Sequence, residues 1–228
     1  MIPLKDENPT ETTPYVTITL LAVNTVIFFY ELSHGIGFGR FIFRLGMIPY
    51  ELTQGVELAP ASPIPAALTI LSSMFLHGGL FHLGGNMLYL WIFGNNIEDA
   101  MGHFRFIIFY LLCGGLAALT HIFVNPLSKV PTVGASGAIA GLLGAYILLY
   151  PYAKVRTLIF FFYFIRIISL PAYFVIGFWF IIQLLSGIIG GGGVAWFAHI
   201  GGFIAGLLLI KLFAHPQRGS YKFSYRKI

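Results

Sequence analysis

Six stretches of this chain run for seventeen to twenty-one residues almost without a charge, at about residues 15–32, 81–97, 104–124, 134–150, 172–189 and 195–214. A bilayer is crossed by about 20 helical residues, with roughly 17 to 25 usual. Lipid offers the backbone no hydrogen-bond partners, so helices are the economical reading of such runs. With 57% hydrophobic residues and only 9% charged ones, the chain has too little polar surface to cover a soluble globule. The sequence therefore predicts an all-α membrane protein, a bundle of six transmembrane helices. The run 158–165, between Arg156 and Arg166, is too short to span. It predicts a segment at the interface or a short extended one.

Lysine and arginine set the orientation. Ten of the 13 (Lys5, Arg105, Lys154, Arg156, Arg166, Lys211, Arg218, Lys222, Arg226 and Lys227) fall on one side of the predicted bundle. Arg40, Arg44 and Lys129 fall on the other, so the positive-inside rule puts both termini in the cytoplasm. Residues 1–14 carry Asp6, Glu7 and Glu11 against one lysine and lack the basic region of a signal peptide. The expected organisation is a cytoplasmic segment 1–14, a membrane domain 15–214 and a basic cytoplasmic tail 215–228. Orientation and lipid headgroups explain the net charge of +5 better than nucleic acid does. Cys113, alone of its type, rules out an intramolecular disulfide and reads as a buried thiol. Between the first two spans, residues 33–80 hold Gly35, Gly37, Gly39, an aromatic and basic patch from Phe38 to Arg44, and Pro60, Pro63 and Pro65. That mixture predicts a large interfacial loop in the outer leaflet. Gly190, Gly191, Gly192 and Gly193 predict a mobile connection before the sixth span.

In this topology spans two, four and six run the same way, and their first turns hold the residues that could do chemistry. His82 and Asn86 open the second, Ser136 opens the fourth, and His199 lies near the start of the sixth. They would reach similar depth. Ser136 sits in PTVGASGAIAGLLGAYILLYP, where unpaired N–H groups and the helix dipole favour developing negative charge. Alone, a serine there is more often an N-cap. The fourth span is short, about 24 Å against roughly 30 Å of hydrocarbon, which sinks its mouth below the surface in a wet pocket. Gly137, Gly141 and Gly144 form one small-residue stripe, and Ala198, Gly202, Ala205 and Gly206 form another. Such stripes bring helix backbones together, here around Ser136 and His199.

A histidine at membrane depth needs a partner, and a serine hydroxyl is one. Neutral His199 could be the general base for a Ser136 nucleophile. His82 and Asn86, four residues apart on one face, can both donate hydrogen bonds to a developing oxyanion. The alternative is that each merely satisfies loop backbone. No carboxylate falls near that depth, which argues against a Ser-His-Asp triad. Metal binding is not expected: His77, His82 and His199 lack zinc-site spacing, and there is no HExxH. The glycine run lacks the Lys-Ser/Thr of a phosphate loop. A transporter would show repeated halves and mid-span charges, which this chain lacks.

HGGLFHLGGNMLYLWIFGNNIEDAMGHFRF, the GASG helix and AHIGGFIAG, in that order and spacing, resemble the rhomboid intramembrane serine proteases of the bacterial six-span type. The resemblance implies Ser136 as nucleophile and His199 as base. It implies that His82, Asn86 and the Ser136 backbone N–H hold the oxyanion, with Gly137, Gly141, Gly202 and Gly206 packing helices around the site. It implies no cofactor, membrane-protein substrates cut near the outer ends of their helices, and residence in the bacterial cytoplasmic membrane. A non-catalytic relative that binds membrane clients is the alternative, and would be expected to lack serine or histidine. Members often carry an aromatic residue one turn after the serine, packed on the histidine. Here that position is Ala140, so His199 needs another support.

Overall fold

The computed structural model describes residues 1–161, 164–189 and 194–214. A strand, β1 (Ile2–Asp6), leads into helix α1 (Tyr15–Ser33), followed by α2 (Phe38–Leu45), α3 (Pro49–Gln54) and α4 (Ala66–Ser72). Then come α5 (Leu80–Met101), α6 (His103–Val124), α7 (Ser136–Leu149), strands β2 (Lys154–Phe161) and β3 (Phe164–Pro171), α8 (Ala172–Ile189) and α9 (Trp196–Phe213). The molecule is mostly helical, and helices stand at all six places where the apolar runs put them. Four of these, α1, α6, α8 and α9, are long and apolar enough to cross a membrane. Helix α5 meets that description together with the segment Ala66–Phe75, from which it is bent by 78°; α7 is shorter.

Helix α7 is the axis. Every residue from Gly137 to Tyr146 is buried, as an all-round apolar helix must be when others enclose it. Its large side chains, Leu142, Leu143 and Tyr146, meet Phe93 of α5 and Phe106, Phe109 and Tyr110 of α6 in the core. On its small-residue side α9 comes to backbone contact. A Cβ on Gly202 would collide with the Gly137 carbonyl, one on Gly206 with that of Gly141, and one on Gly144 with that of Phe203. The two stripes therefore face each other, and no side chain fits between them.

The all-α expectation is corrected at one end of the bundle by a three-stranded antiparallel sheet in the order β1-β2-β3. The run at 158–165 is extended, and it belongs to a longer hairpin in which Leu158 pairs with Ile167 and Phe160 with Ile165. Isoleucine, valine, threonine and phenylalanine dominate both strands, and those side chains fit a pleated ladder better than a helix. Polar-looking residues 2–6 supply the third strand, with Ile2 opposite Leu158 and Asp6 opposite Val155. Lys211 lies in the last turn of α9, within the run 195–214. The basic residues of the tail 215–228 and the four glycines at 190–193 lie outside the described residues.

Polar contacts tie residues 1–17 to this same end. Pro14 at the start of α1 offers no side-chain cap. The buried Glu98 carboxylate at the end of α5 takes its place, accepting from the N–H of Val16 (2.9 Å) and Thr17 (2.7 Å) and from the Thr17 hydroxyl (2.7 Å). Asp99 accepts from the N–H of Thr12 at 2.9 Å. Asp6 is buried, and its Oδ2 accepts from Asn96 Nδ2 (2.6 Å) and the Tyr146 hydroxyl (2.9 Å). Burial pushes the Asp6 carboxyl up from 3.8 to about 6, against the opposing pull of those two donors. Between those values the folded chain holds a proton that the unfolded chain has released. The Asp6 contribution is thus full below about pH 4 and lost as pH rises through about 6. Amides of residues 2–6 should show greater hydrogen-exchange protection at pH 5 than at pH 7.5, after correction for intrinsic rates. Asp6→Asn should flatten that difference; an unchanged difference would mean another group sets it.

At the opposite end the connection from α1 to α5 folds over the approach to α7. Met47 and Thr132 exchange backbone hydrogen bonds (3.1 and 2.8 Å), and Tyr50 N–H donates to the Ser128 carbonyl at 2.9 Å. Gly134 N–H donates to the Ser73 carbonyl at 2.8 Å. Residues 128–134 are therefore held as they descend to Ser136.

Candidate active site

Gly134 turns the chain into α7 with φ 125°, a conformation glycine adopts without steric cost. The turn is needed for space as well: a Cβ there would lie 2.7 Å from His82 Nε2 and 3.5 Å from Asn86 Nδ2. The helix begins with Ser136 as its first residue, and the N-cap is Ala135, without a side-chain cap bond. Ser136 is thus not the cap that a serine at a helix start usually is. Its Oγ lies 2.7 Å from His199 Nε2, across the close contact of α7 with α9.

His82, Asn86, Ser136 and His199 all line one cavity of about 1010 Å³, together with Trp179, Gln183 and the small residues Gly137 and Ala198. The predicted residues are therefore brought together. His82, in the first turn of α5, receives the Gly78 N–H on Nδ1 at 3.3 Å. A nitrogen that accepts carries no proton, so the ring's hydrogen is on Nε2, the atom beside Gly134. Asn86 is buried one turn further along, and its Nδ2 has no hydrogen-bond partner among the described residues. Two donors thus lie beside Gly134, two residues before Ser136, in the cavity that Ser136 lines.

The sequence reading missed Gln183. This residue of α8 is buried, and its Oε1 lies 2.7 Å from His199 Nδ1. The signal was a carboxamide inside an otherwise apolar span, which must find a partner or be costly. The His199 ring also has tryptophans on two sides, Trp179 with centroids 5.9 Å apart and Trp196 at 6.2 Å. Ala140, at the position of the expected aromatic support, is fully buried. Support for the histidine comes from α8 and from its own helix instead.

The packing glycines serve this geometry. Gly141 lies against Cys113 and the Gly202 carbonyl, Gly137 against Ala117, and Gly202 and Gly206 directly on α7 backbone. Ser136 is therefore one residue, and His199 three residues, from the backbone contact of Gly137 with Gly202. Apolar surroundings with a few convergent polar groups are the usual character of a site that processes a ligand.

Comparison with known proteins gives a consistent relationship. The Rhomboid domain family matches residues 66–216. Rhomboid protein 1, mitochondrial, of Saccharomyces cerevisiae is 32% identical over 131 residues, covering 55% of this chain and 38% of that protein. RHOMBOID-like protein 6, mitochondrial, of Arabidopsis thaliana is 35% identical over 161 residues, 68% of this chain and 46% of that one. Rhomboid protease GluP of Bacillus subtilis is 33% identical over 156 residues, 67% of this chain and 27% of that one. The chain thus spans less than half the length of these relatives. Two of the three are named as mitochondrial, so the expected bacterial cytoplasmic membrane finds no support beyond residence in a membrane. On the match that covers its second to sixth apolar helices and every residue of the candidate site, the chain belongs to the rhomboid family.

Proposed function

We propose that this protein is an intramembrane serine endopeptidase that cuts the transmembrane helices of other membrane proteins near their outer ends. The observation that carries the reading is the 2.7 Å contact between Ser136 Oγ and His199 Nε2 inside the cavity. His199 takes the serine proton as Oγ attacks the scissile carbonyl carbon, and the carbonyl oxygen becomes an oxyanion. His82 Nε2–H, Asn86 Nδ2–H and the Ser136 backbone N–H stabilise it. Collapse breaks the C–N bond, and His199 returns the proton to the departing amine. Water then enters by the same route and hydrolyses the acyl-enzyme. No cofactor is needed, because every step is a proton transfer or an addition at the carbonyl.

The topology that fits this reading has six spans, with the sheet, both termini and the excess of lysine and arginine in the cytoplasm. Three observations support it. Strand β1 pairs with the hairpin between α7 and α8; Arg105 Nη1 at the start of α6 donates to the Phe213 carbonyl at 3.3 Å; and the loops 33–80 and 125–135 bond to each other at the opposite end. In this arrangement residues 1–14 are cytoplasmic, 15–214 form the membrane domain, and 215–228 form the tail.

The test is hydrolysis of a single-span substrate by the purified chain in liposomes, with the cut located by mass. Asn86→Ala is the informative variant. An unpartnered donor adds most where charge appears, so its loss should lower kcat by about 100- to 1000-fold and leave KM nearly unchanged. A large rise in KM with kcat intact would make Asn86 a substrate-binding group instead.

A further inference from the structure

We infer that Gln183 is the positioning residue of His199, fixing which ring nitrogen carries the proton; the inference rests on the protease reading above. The argument starts from what a carboxamide can do. Its oxygen only accepts and its nitrogen only donates, so its effect on a histidine depends on which atom faces the ring. Here Gln183 Oε1 is 2.7 Å from His199 Nδ1, while Nε2 points back along α8 to the Trp179 carbonyl, 3.4 Å away. That intrahelical contact one turn back gives the amide its orientation. With an acceptor on Nδ1, the ring must carry its hydrogen there. Nε2 is left with a lone pair, and that is the atom 2.7 Å from the Ser136 hydroxyl. Read outward, the chain is one direction of donation: serine O–H to Nε2, and Nδ1–H to Gln183.

The same arrangement serves the reaction as it proceeds. When the Oγ–C bond forms, the serine proton moves to Nε2, and His199 then holds hydrogens on both nitrogens. The Nδ1–H bond to Gln183 persists through that change, so the ring does not rotate between accepting the proton and delivering it to the amine. A carboxylate in this place would also offset the imidazolium charge, but it would carry a full negative charge into an apolar span. Glutamine supplies the orientation without that cost. It also replaces the aromatic support absent at Ala140, and the rings of Trp179 and Trp196 limit what other tilt the histidine could take. The role is one of positioning, because Gln183 touches the base and not the reacting atoms.

The experiment compares wild type, Gln183→Leu and Gln183→Glu in liposomes, with nitrogen-15 spectra of the histidine rings assigned by His199→Ala. Gln183→Leu keeps the side-chain bulk and removes the acceptor. It should lower kcat by about 10- to 100-fold, the range for losing one buried orienting hydrogen bond, with KM within about twofold of wild type. Gln183→Glu restores an acceptor and should recover most of that loss, which a merely space-filling role would not produce. In the spectra, wild-type His199 should show a protonated Nδ1 and an unprotonated Nε2, and Gln183→Leu should show a mixture. Cleavage by wild type with the proton on Nε2, or undiminished kcat in Gln183→Leu, would overturn the inference and leave the protease reading intact. A wild-type chain that shows the expected tautomer but cleaves no substrate would overturn the protease reading and leave the assignment of Gln183 standing.

Discussion

Replacing Ser136 with alanine is expected to lower hydrolysis by about 10⁴-fold or more, the largest effect of any single change in this chain. Without the hydroxyl no acyl-enzyme forms, and only the donors around the site remain to assist water, which is why such losses are large without being infinite. His199→Ala should fall to a similar level, because a nucleophile without its base acts as weakly as a base without its nucleophile. The double variant should be scarcely worse than either single one. A serine-directed mechanism-based inhibitor should add one mass increment to wild type and none to Ser136→Ala. Equal labelling of both would place the reactive group elsewhere and remove the basis of the mechanism. All variants should retain the wild-type melting temperature within a few degrees, since Ser136 and His199 lie at the cavity rather than in the packed interior.

Gly202→Leu should lower cleavage by about 100-fold or more although it touches no reacting atom. A side chain at this position begins inside the Gly137 carbonyl and cannot be relieved by a rotamer change, because the obstacle is backbone. Helix α9 must move away from α7, and His199 moves with it. A displacement of about 1 Å of a catalytic group is enough to cost about 100-fold. Overpacking of this kind also destabilises, by about 1 to 3 kcal/mol in ordinary cores. Gly206→Leu meets the Gly141 backbone and should behave the same way, whereas Gly177→Leu on α8, where a Cβ meets nothing within 4 Å, should leave turnover within about twofold. Initial rates in liposomes, normalised to folded protein, separate these cases. Near wild-type turnover in Gly202→Leu would mean that α7 and α9 can part without disturbing the serine and histidine.

Much of this was legible from the chain alone, and for a physical reason. A lipid-facing helix cannot hide its composition, so apolar runs mark helices whether or not their packing is known. Ser136 and His199, 63 residues apart, could be matched because the apolar runs that hold them, now α7 and α9, carry facing glycine stripes. What stayed illegible depends on partners that periodicity does not encode. Residues 2–6 look like a polar terminus until β2, some 150 positions later, gives them a ladder to join. Glu98 looks like a charge at a span end, yet its carboxylate closes the start of α1, more than 80 residues before it. Gln183 sits in a span so uniformly apolar that no face is marked as inward. Only the meeting of α8 with α9 shows which way its amide turns.

The sheet and the acidic residues above it have a consequence for biogenesis. During synthesis α1 is made before Glu98, the residue that completes its start. Glu98 arrives with the end of α5, Tyr146 with the end of α7, and the pairing strand β2 only after that. Residues 2–17 therefore remain without these partners until Glu98, and then residues 155–158, have been synthesised. Contacts of such long sequence separation form late, because the entropy of closing the loop is lost before they are made. Zipping of β1 onto β2 then becomes a late event of assembly. It would hold together elements that the translocon releases one at a time, with Asp6 reaching Asn96 and Tyr146 only in a bundle that already contains α5 and α7.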